Sequence, residues 1–315
     1  MLKICFVSAG SGGSEINNVL IKELLKNKSY KIINLAITPY AKEKLNNYIY
    51  ITKSNILDYL KNVSPDVIIN ERSNDLKIQN KVTKFAKENN IFNIAVLDYY
   101  GNYKNRFTSI PNYMLVPSNK IKLELLEEIN ISNKNVFVSG NPSFDRVYNL
   151  KYNRSEKNKI LFASQPLDKN GVAIQYKVFN EFVNEIIKYN KPTIYIKPHP
   201  RENNKKWLEV INNNTYKNIK LIEFDNNNDF LITCTNYDLI IGYYSTILLQ
   251  CYYANIPQIS YLQDWKKALN SYFNNTFVNT TYYNGFLNDA TDKTLNVIVN
   301  IINEHFNALN IAYGG

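Results

Sequence analysis

The residues of this chain that could do chemistry are few. Only two histidines occur in 315 residues, His199 and His305, and His199 lies in the stretch TIYIKPHPRE at 193–202. A β-branched and aromatic run that stops at two prolines is the pattern of a buried strand handing its last side chains to a loop. Pro198 and Pro200 fix φ at their own positions and restrict the residue before each, so the loop has little freedom. A rigid loop presenting Lys197, His199 and Arg201 at the carboxyl end of a strand in an open α/β sheet suits an anion, most often a phosphate. A solvated basic turn closed by prolines is the other reading.

Acid and base work needs carboxylates, and three stand near strand ends or turns. Asp98 closes the apolar run 93–97, where burial can raise its pKa and make it a general base; the alternative is a cap on the following turn. Glu71 follows a strand at 66–70 and either serves as a base or pairs with Arg72 at the surface. Glu15 sits in the first turn of a helix. Farther on, Ser245 and Thr246 open an apolar helix, where free backbone N–H groups and the dipole can hold a phosphate, or where they are a plain N-cap. There is no Asp-x-Asp and no histidine cluster with ligand spacing, so neither a metal nor a cofactor is expected.

These residues need elements to position them. The run KICFVS at 3–8 enters AGSGGS at 9–14 and then a helical pattern through Ile16, Val19, Leu20 and Leu24. Strand, glycine-rich turn and helix in that order begin a Rossmann-like unit, with Ser14 as its N-cap. Gly10, Gly12 and Gly13 lack the spacing of a dinucleotide fingerprint, and no P-loop lysine follows, which leaves a tight turn or a role in a cleft. Strands at 32–37, 66–70, 93–97 and 112–118 alternate with helices, the mark of a parallel sheet covered on both faces. NVFVSGNPSFD at 135–145 ends the set, with Asn141 and Asp145 turning the chain onward. After a polar linker at 151–159 a second α/β set begins: 160–163 followed by Ser164 and Gln165, a helix, the Lys197–Arg201 loop, a strand at 219–223, a helix near 230–233, and 238–241. The expected division is an N-terminal domain at 1–150, a second domain at 151–290, and a helix at 291–315.

Composition is consistent with this. Hydrophobic residues make up 45% and charged residues 20%, enough for two cores and against disorder. The net charge of +10 allows nucleic acid, an anionic membrane face or an acidic substrate. The basic residues are scattered and no nucleic-acid motif accompanies them, so nucleic acid is the weakest of the three. No segment approaches the roughly 20 apolar residues of a membrane span, and no leader precedes the first strand, so a cytoplasmic location is expected, with peripheral contact at the inner membrane face compatible with the charge. Cys5, Cys234 and Cys251 read as buried reduced thiols.

Together, GNPSFD after a strand, KPHPRE after a later strand, and YSTILLQCYYANIPQISY resemble the C-terminal half of bacterial GT-B glycosyltransferases. They are most similar to enzymes of capsule and lipooligosaccharide synthesis that use CMP-activated acid sugars such as sialic acid. The resemblance covers about residues 90–265, and it implies two Rossmann-like α/β domains facing a cleft, the nucleotide sugar bound by the domain at 151–290 and the 291–315 helix packed near the domain junction. It further implies a nucleotide-sugar donor, a glycan, glycolipid or glycoprotein acceptor, and a metal-independent inverting displacement. By it His199, with Lys197, Pro200 and Arg201 beside it, contacts the donor nucleotide, and Ser245 and Thr246 hold its phosphate. Asn141, Ser164, Gln165 and Tyr244 fall in the same nucleotide region. Gln250 stands where many members carry an acidic ribose contact. The acceptor hydroxyl would lose its proton to Asp98, or otherwise to Glu15 or Glu71. Similar layouts in UDP-GlcNAc 2-epimerases and CDP-glycerol glycerophosphotransferases keep an isomerase and a glycerophosphotransferase open, as is a non-catalytic glycan-binding protein.

Overall fold

Strand β1 (Leu2–Ser8) carries Ile4, Cys5, Phe6 and Val7 in succession, all fully buried, and such a run needs cover on both faces of a sheet. The computed structural model describes residues 1–72, 76–98, 101, 103–147, 150, 152, 158–169, 172–189, 191–199, 202–222, 230–243, 246–262, 264–279 and 289–313. The chain divides into two units, Met1–Asp145 with Asn284–Gly315, and Arg146–Tyr283.

In the first unit, β1 is followed by α1 (Ser11–Leu24), β2 (Tyr30–Ala36), α2 (Pro39–Lys42), β3 (Ile49–Tyr50), α3 (Ile56–Val63) and β4 (Val67–Arg72). Then come α4 (Leu76–Glu88), β5 (Phe92–Leu97), α5 (Tyr103–Arg106), β6 (Tyr113–Val116), α6 (Asn119–Glu128) and β7 (Val136–Val138). The seven strands form one parallel sheet in the order β3-β2-β1-β4-β5-β6-β7. Strand alternation sorts the core into two layers. Ile4, Phe6, Val67, Ile69, Ile94 and Val96 face Ile16, Leu20 and Leu24 of α1, while Cys5, Val7, Leu35 and Ile68 face Ile56 and Leu60 of α3 and Ile78 and Val82 of α4. The order reverses between β1 and β4, the switch point at which open α/β sheets receive ligands at their carboxyl edge.

The second unit runs β8 (Lys159–Ala163), the antiparallel pair β9 (Asp168–Lys169) and β10 (Val172–Ala173), α7 (Gln175–Ile186), β11 (Thr193–Lys197), α8 (Asn204–Asn213) and β12 (Ile219–Leu221). It continues with α9 (Phe230–Cys234), β13 (Leu239–Gly242), α10 (Thr246–Tyr253), β14 (Gln258–Ser260) and α11 (Trp265–Phe273). Its sheet is parallel in the order β12-β11-β8-β13-β14, with its own switch point between β8 and β13. The core is aromatic. Trp207 is fully buried and meets Tyr176 and Phe179 edge to face at centroid distances of 4.8 and 5.5 Å.

The C-terminal helix α12 (Ala290–Tyr313) belongs to the first unit. Its Ile298, Ile301 and Ile302, at helical spacing, are buried in the layer formed by α1 and β1, and each contributes about 1.5–3 kcal/mol by leaving water. Asp145, expected only to turn the chain, also caps this helix: its carboxylate oxygens accept the N–H groups of Ala290 at 2.8 Å and Thr291 at 2.7 Å. The point where the chain leaves the first unit is therefore tied to the point where it returns.

The structure corrects several local expectations. Strand β4 extends through Arg72, so Glu71 lies inside it and not after it. Helix α1 begins three residues before Ser14, which is buried in its first turn and donates its hydroxyl to the Gly10 carbonyl. The second unit starts at Arg146, ahead of the polar stretch expected as a linker, and β12 spans Ile219–Leu221, while Glu223, the expected end of that strand, lies outside the described residues. Cys5, Cys234 and Cys251 are buried and reduced. Among the described residues no helix is long and apolar enough to cross a membrane.

Candidate functional site

At the switch point of the first unit, the glycine turn after β1 receives a carboxylate. The backbone N–H groups of Ala9 and Gly10 donate to Glu71 Oε1 at 2.6 and 2.8 Å, and Glu71 is wholly buried. Gly10 is the N-cap of α1 and makes no side-chain cap bond; Glu71, reaching over from β4, supplies the negative charge that a helix N-terminus favours. The glycines are needed for space. A Cβ on Gly13 would collide with the Glu71 carboxylate, and one on Gly12 would stand 2.7 Å from Asp98 Oδ2. Neither position has a left-handed backbone; among the described residues the glycines with positive φ are Gly101, just past Asp98, and Gly140.

Asp98 follows β5. The residue as a whole is half-buried, but its Oδ1 is sealed from solvent and, among the described residues, has no hydrogen-bond partner. Burial first, and the Glu71 charge second, hold its carboxyl well above the usual aspartate range, against the opposing pull of its own backbone N–H, Arg106 and the Gly13 N–H. A carboxylate of raised proton affinity at the edge of a sheet is a candidate general base. The third carboxylate is placed differently: Glu15 forms an ion pair with Lys44 at 2.9 Å, both partly exposed, a contact worth about 0–1 kcal/mol.

In the second unit, β11 ends at Lys197 and leads through buried Pro198 to half-buried His199. The loop is braced by Glu202, to which the sequence analysis gave no role. Its Oε2 accepts the His199 N–H at 2.6 Å and its Oε1 accepts the Ser164 hydroxyl at 2.8 Å. The Ser164 N–H donates to the Lys197 carbonyl at 2.9 Å, and the Glu202 N–H to the His199 carbonyl at 2.8 Å. Burial raises the Glu202 pKa, opposed by the bonds from His199 and Ser164. The signal was present in the spacing, since a glutamate three residues after His199 reaches back to its N–H as in a capping box.

Of the other nucleotide-side residues, Ser164 and Gln165 follow β8, and the Ser164 hydroxyl is committed to Glu202. Thr246 opens α10, and Gln250 is buried within it. Asn141 belongs to the first unit, where its Oδ1 accepts the Ser143 N–H at 3.0 Å and hydroxyl at 2.8 Å and caps the 3-10 turn Pro142–Phe144. Pro200, Arg201, Tyr244 and Ser245 lie outside the described residues, as does the Thr246 side chain. His305 is stacked on Phe92 at 4.1 Å. It lines a cavity of about 390 Å³ with Ser64, Asp66 and Asn90, at the amino ends of β4 and β5 and therefore away from Glu71 and Asp98.

With this geometry in place, residues 56–263 match the family model for alpha-2,8-polysialyltransferase (POLYST). The chain belongs to that family. The match takes in Glu71, Asp98 and the Lys197–Glu202 loop but stops short of the glycine turn. The protein is thus a glycosyltransferase, and no curated protein matches it. Among solved structures, it is similar to UDP-GlcNAc 2-epimerase from Neisseria meningitidis bound to UDP-GlcNAc, with TM-score 0.73, 12% identity, and 95% of this chain and 100% of that one covered. The Methanocaldococcus jannaschii UDP-GlcNAc 2-epimerase in complex with UDP-GlcNAc and UDP gives TM-score 0.72 at 18% identity, with 95% and 100% covered. MurG from Acinetobacter baumannii gives 0.57 at 11%, with 95% and 99% covered. At such identities the likeness shows the fold, which is the GT-B type with two Rossmann-like α/β units.

Proposed function

We propose that the protein transfers an acid sugar from a CMP-activated donor to a hydroxyl of a glycan acceptor, with Asp98 as general base and the Lys197–Glu202 loop on the nucleotide side. The observation that carries the reading is the position of Asp98 at the carboxyl edge of the first sheet, with its Oδ1 sealed from solvent, where burial pushes its carboxyl above the usual aspartate range. In the transfer, the acceptor O–H proton passes to the Asp98 carboxylate and the acceptor oxygen bonds to the anomeric carbon. The bond from that carbon to the donor phosphate breaks, and its electron pair leaves with CMP. Displacement from the opposite face inverts the anomeric centre. Lys197 and His199 offset the phosphate charge of the leaving group, and no step calls on a metal.

Support for sialic acid as the transferred sugar comes from the family description; CMP as its carrier and a surface glycan as acceptor rest on the resemblance of the KPHPRE and YST stretches. The experiment is a thermal-shift series with CMP, CDP, UDP and GDP, followed by turnover of CMP-sialic acid with oligosaccharide acceptors. A ligand that binds only the folded state raises its melting point according to affinity. A shift with CMP alone and product formation are expected. A shift confined to UDP would overturn the donor and favour the second reading, an isomerase of UDP-GlcNAc, which the whole-chain likeness to the epimerases keeps in view. Incubation with UDP-GlcNAc and no acceptor then distinguishes the two.

A further inference from the structure

Glu71 has a feature that the proposed reaction does not use. A fully buried carboxylate drawn from the middle of a sheet is costly unless fixed hydrogen bonds and dipoles hold its charge. Here the Ala9 and Gly10 N–H groups provide them at 2.6 and 2.8 Å. Glycines at 12 and 13 let Asp98 and Glu71 approach the same turn from β5 and β4. We propose that Glu71 is a positioning residue for the acceptor-activating step: anchored on the glycine turn that Asp98 also approaches, its carboxylate acts by charge on Asp98, the group that receives the acceptor proton. The inference rests on the reading of Asp98 as general base.

The groups that face Asp98 make the direction definite. Among the described residues, β4 presents Glu71, α5 presents Arg106, and α1 presents the Gly13 N–H. Arg106 and the N–H favour the carboxylate. Glu71 alone among these neighbours opposes it by charge, so removing that charge must make Asp98 easier to ionise and a weaker base.

Glu71→Gln tests this, because the amide oxygen can still accept the Ala9 and Gly10 N–H groups while the charge is gone. The readout is the carboxyl carbon resonance of Asp98 in aspartate-labelled full-length protein, assigned by its loss in Asp98→Asn and titrated with pH. The Asp98 midpoint is expected to fall by roughly one pH unit or more in Glu71→Gln, with the acid limb of kcat/KM moving in the same direction. Glu71→Asp, which keeps the charge but withdraws it by one methylene, is expected to give a smaller fall, and it carries the test alone if Glu71→Gln does not fold. A midpoint unchanged from the wild type in the folded variants overturns the proposal and leaves Glu71 as an anchor of the turn. Failure of the underlying reading looks different: Asp98→Asn would retain turnover, whatever the titration shows.

Discussion

The two units each end a central strand in a loop that a glutamate holds by its backbone N–H groups, but the two glutamates are recruited differently. In the first unit Glu71 comes from a neighbouring strand, 62 and 61 residues from the Ala9 and Gly10 it binds, and is completely buried. In the second, Glu202 lies three residues from His199 and remains partly exposed. A long-range buried carboxylate places its charge where solvent cannot screen it, so it acts on whatever stands beside it, here Asp98. A local, half-exposed carboxylate is screened, and its main effect is on the shape of its loop. By this contrast, the first unit uses a glutamate for electrostatics and the second uses one for geometry.

The largest effect expected is at Asp98. Asp98→Asn should lower kcat by roughly two to four orders of magnitude, the usual contribution of a positioned base, with nucleotide affinity unchanged. Stability should move the other way. Burial and Glu71 raise the folded pKa of Asp98 above its unfolded value, so its contribution to stability is complete below the ordinary aspartate range and is lost as pH rises through the folded value. The asparagine variant escapes that loss and is expected to melt above the wild type at neutral pH and to lose the corresponding pH slope. A variant that is both inactive and less stable would mark Asp98 as a structural cap and remove the electrostatic half of the contrast.

His199→Ala comes next. Removing one charge-assisted phosphate contact should cost about 1.5–3 kcal/mol, roughly ten- to a hundredfold in CMP affinity, with the melting point of the free protein little changed. Isothermal titration decides it, and equal affinity in the two proteins takes His199 out of the site. Gly13→Ala probes the first loop by space alone. Its new methyl group meets a Glu71 carboxylate that is pinned by two N–H groups and cannot swing aside. A loss of about 1–3 kcal/mol in chemical denaturation is expected, as for other overpacked sites. No measurable loss would mean that Glu71 is mobile and that its charge is not fixed.

The same contrast explains how much could be read in advance. The alternation of strands and helices, the two α/β sets, the KPHPRE loop and Asp98 at a strand end are local patterns, and the structure places strands at or within two residues of each stretch cited. The seat of Glu71 is not local. A charged residue ordinarily ends a buried run, so the sequence puts the end of β4 at Asn70, and only the pairing of β4 with β1 reveals the N–H groups that let Glu71 continue it. The glycines of AGSGGS are legible as a tight turn or part of a cleft, but what meets them is a carboxylate from another strand, and no spacing within the turn encodes that. Ser14 has the residue type of an N-cap, yet Glu71 serves the turn from outside and the helix starts earlier. Strands β3 and β14, of two and three residues, are too short to carry a period.

The smallest effect is expected at Glu202, and it is the sharpest test of the second half of the contrast. Glu202→Gln keeps one acceptor oxygen and replaces the other with an N–H₂ group. The His199 N–H must still be met by an acceptor, because it has no freedom to turn, whereas the Ser164 hydroxyl can rotate and accept from the new amide. The geometry therefore survives with at most one weakened bond, about 0.5–1.5 kcal/mol, and CMP affinity should fall no more than about tenfold. Glu202→Ala abandons both bonds and releases the loop, so its affinity should drop further, toward that of His199→Ala. If the glutamate worked by charge, as Glu71 is proposed to do, the order would reverse: glutamine and alanine would behave alike, and CMP binding in both would become tighter as a negative charge left the phosphate side. Titrating CMP into the two variants at neutral pH separates a brace from a charge by the sign of the change.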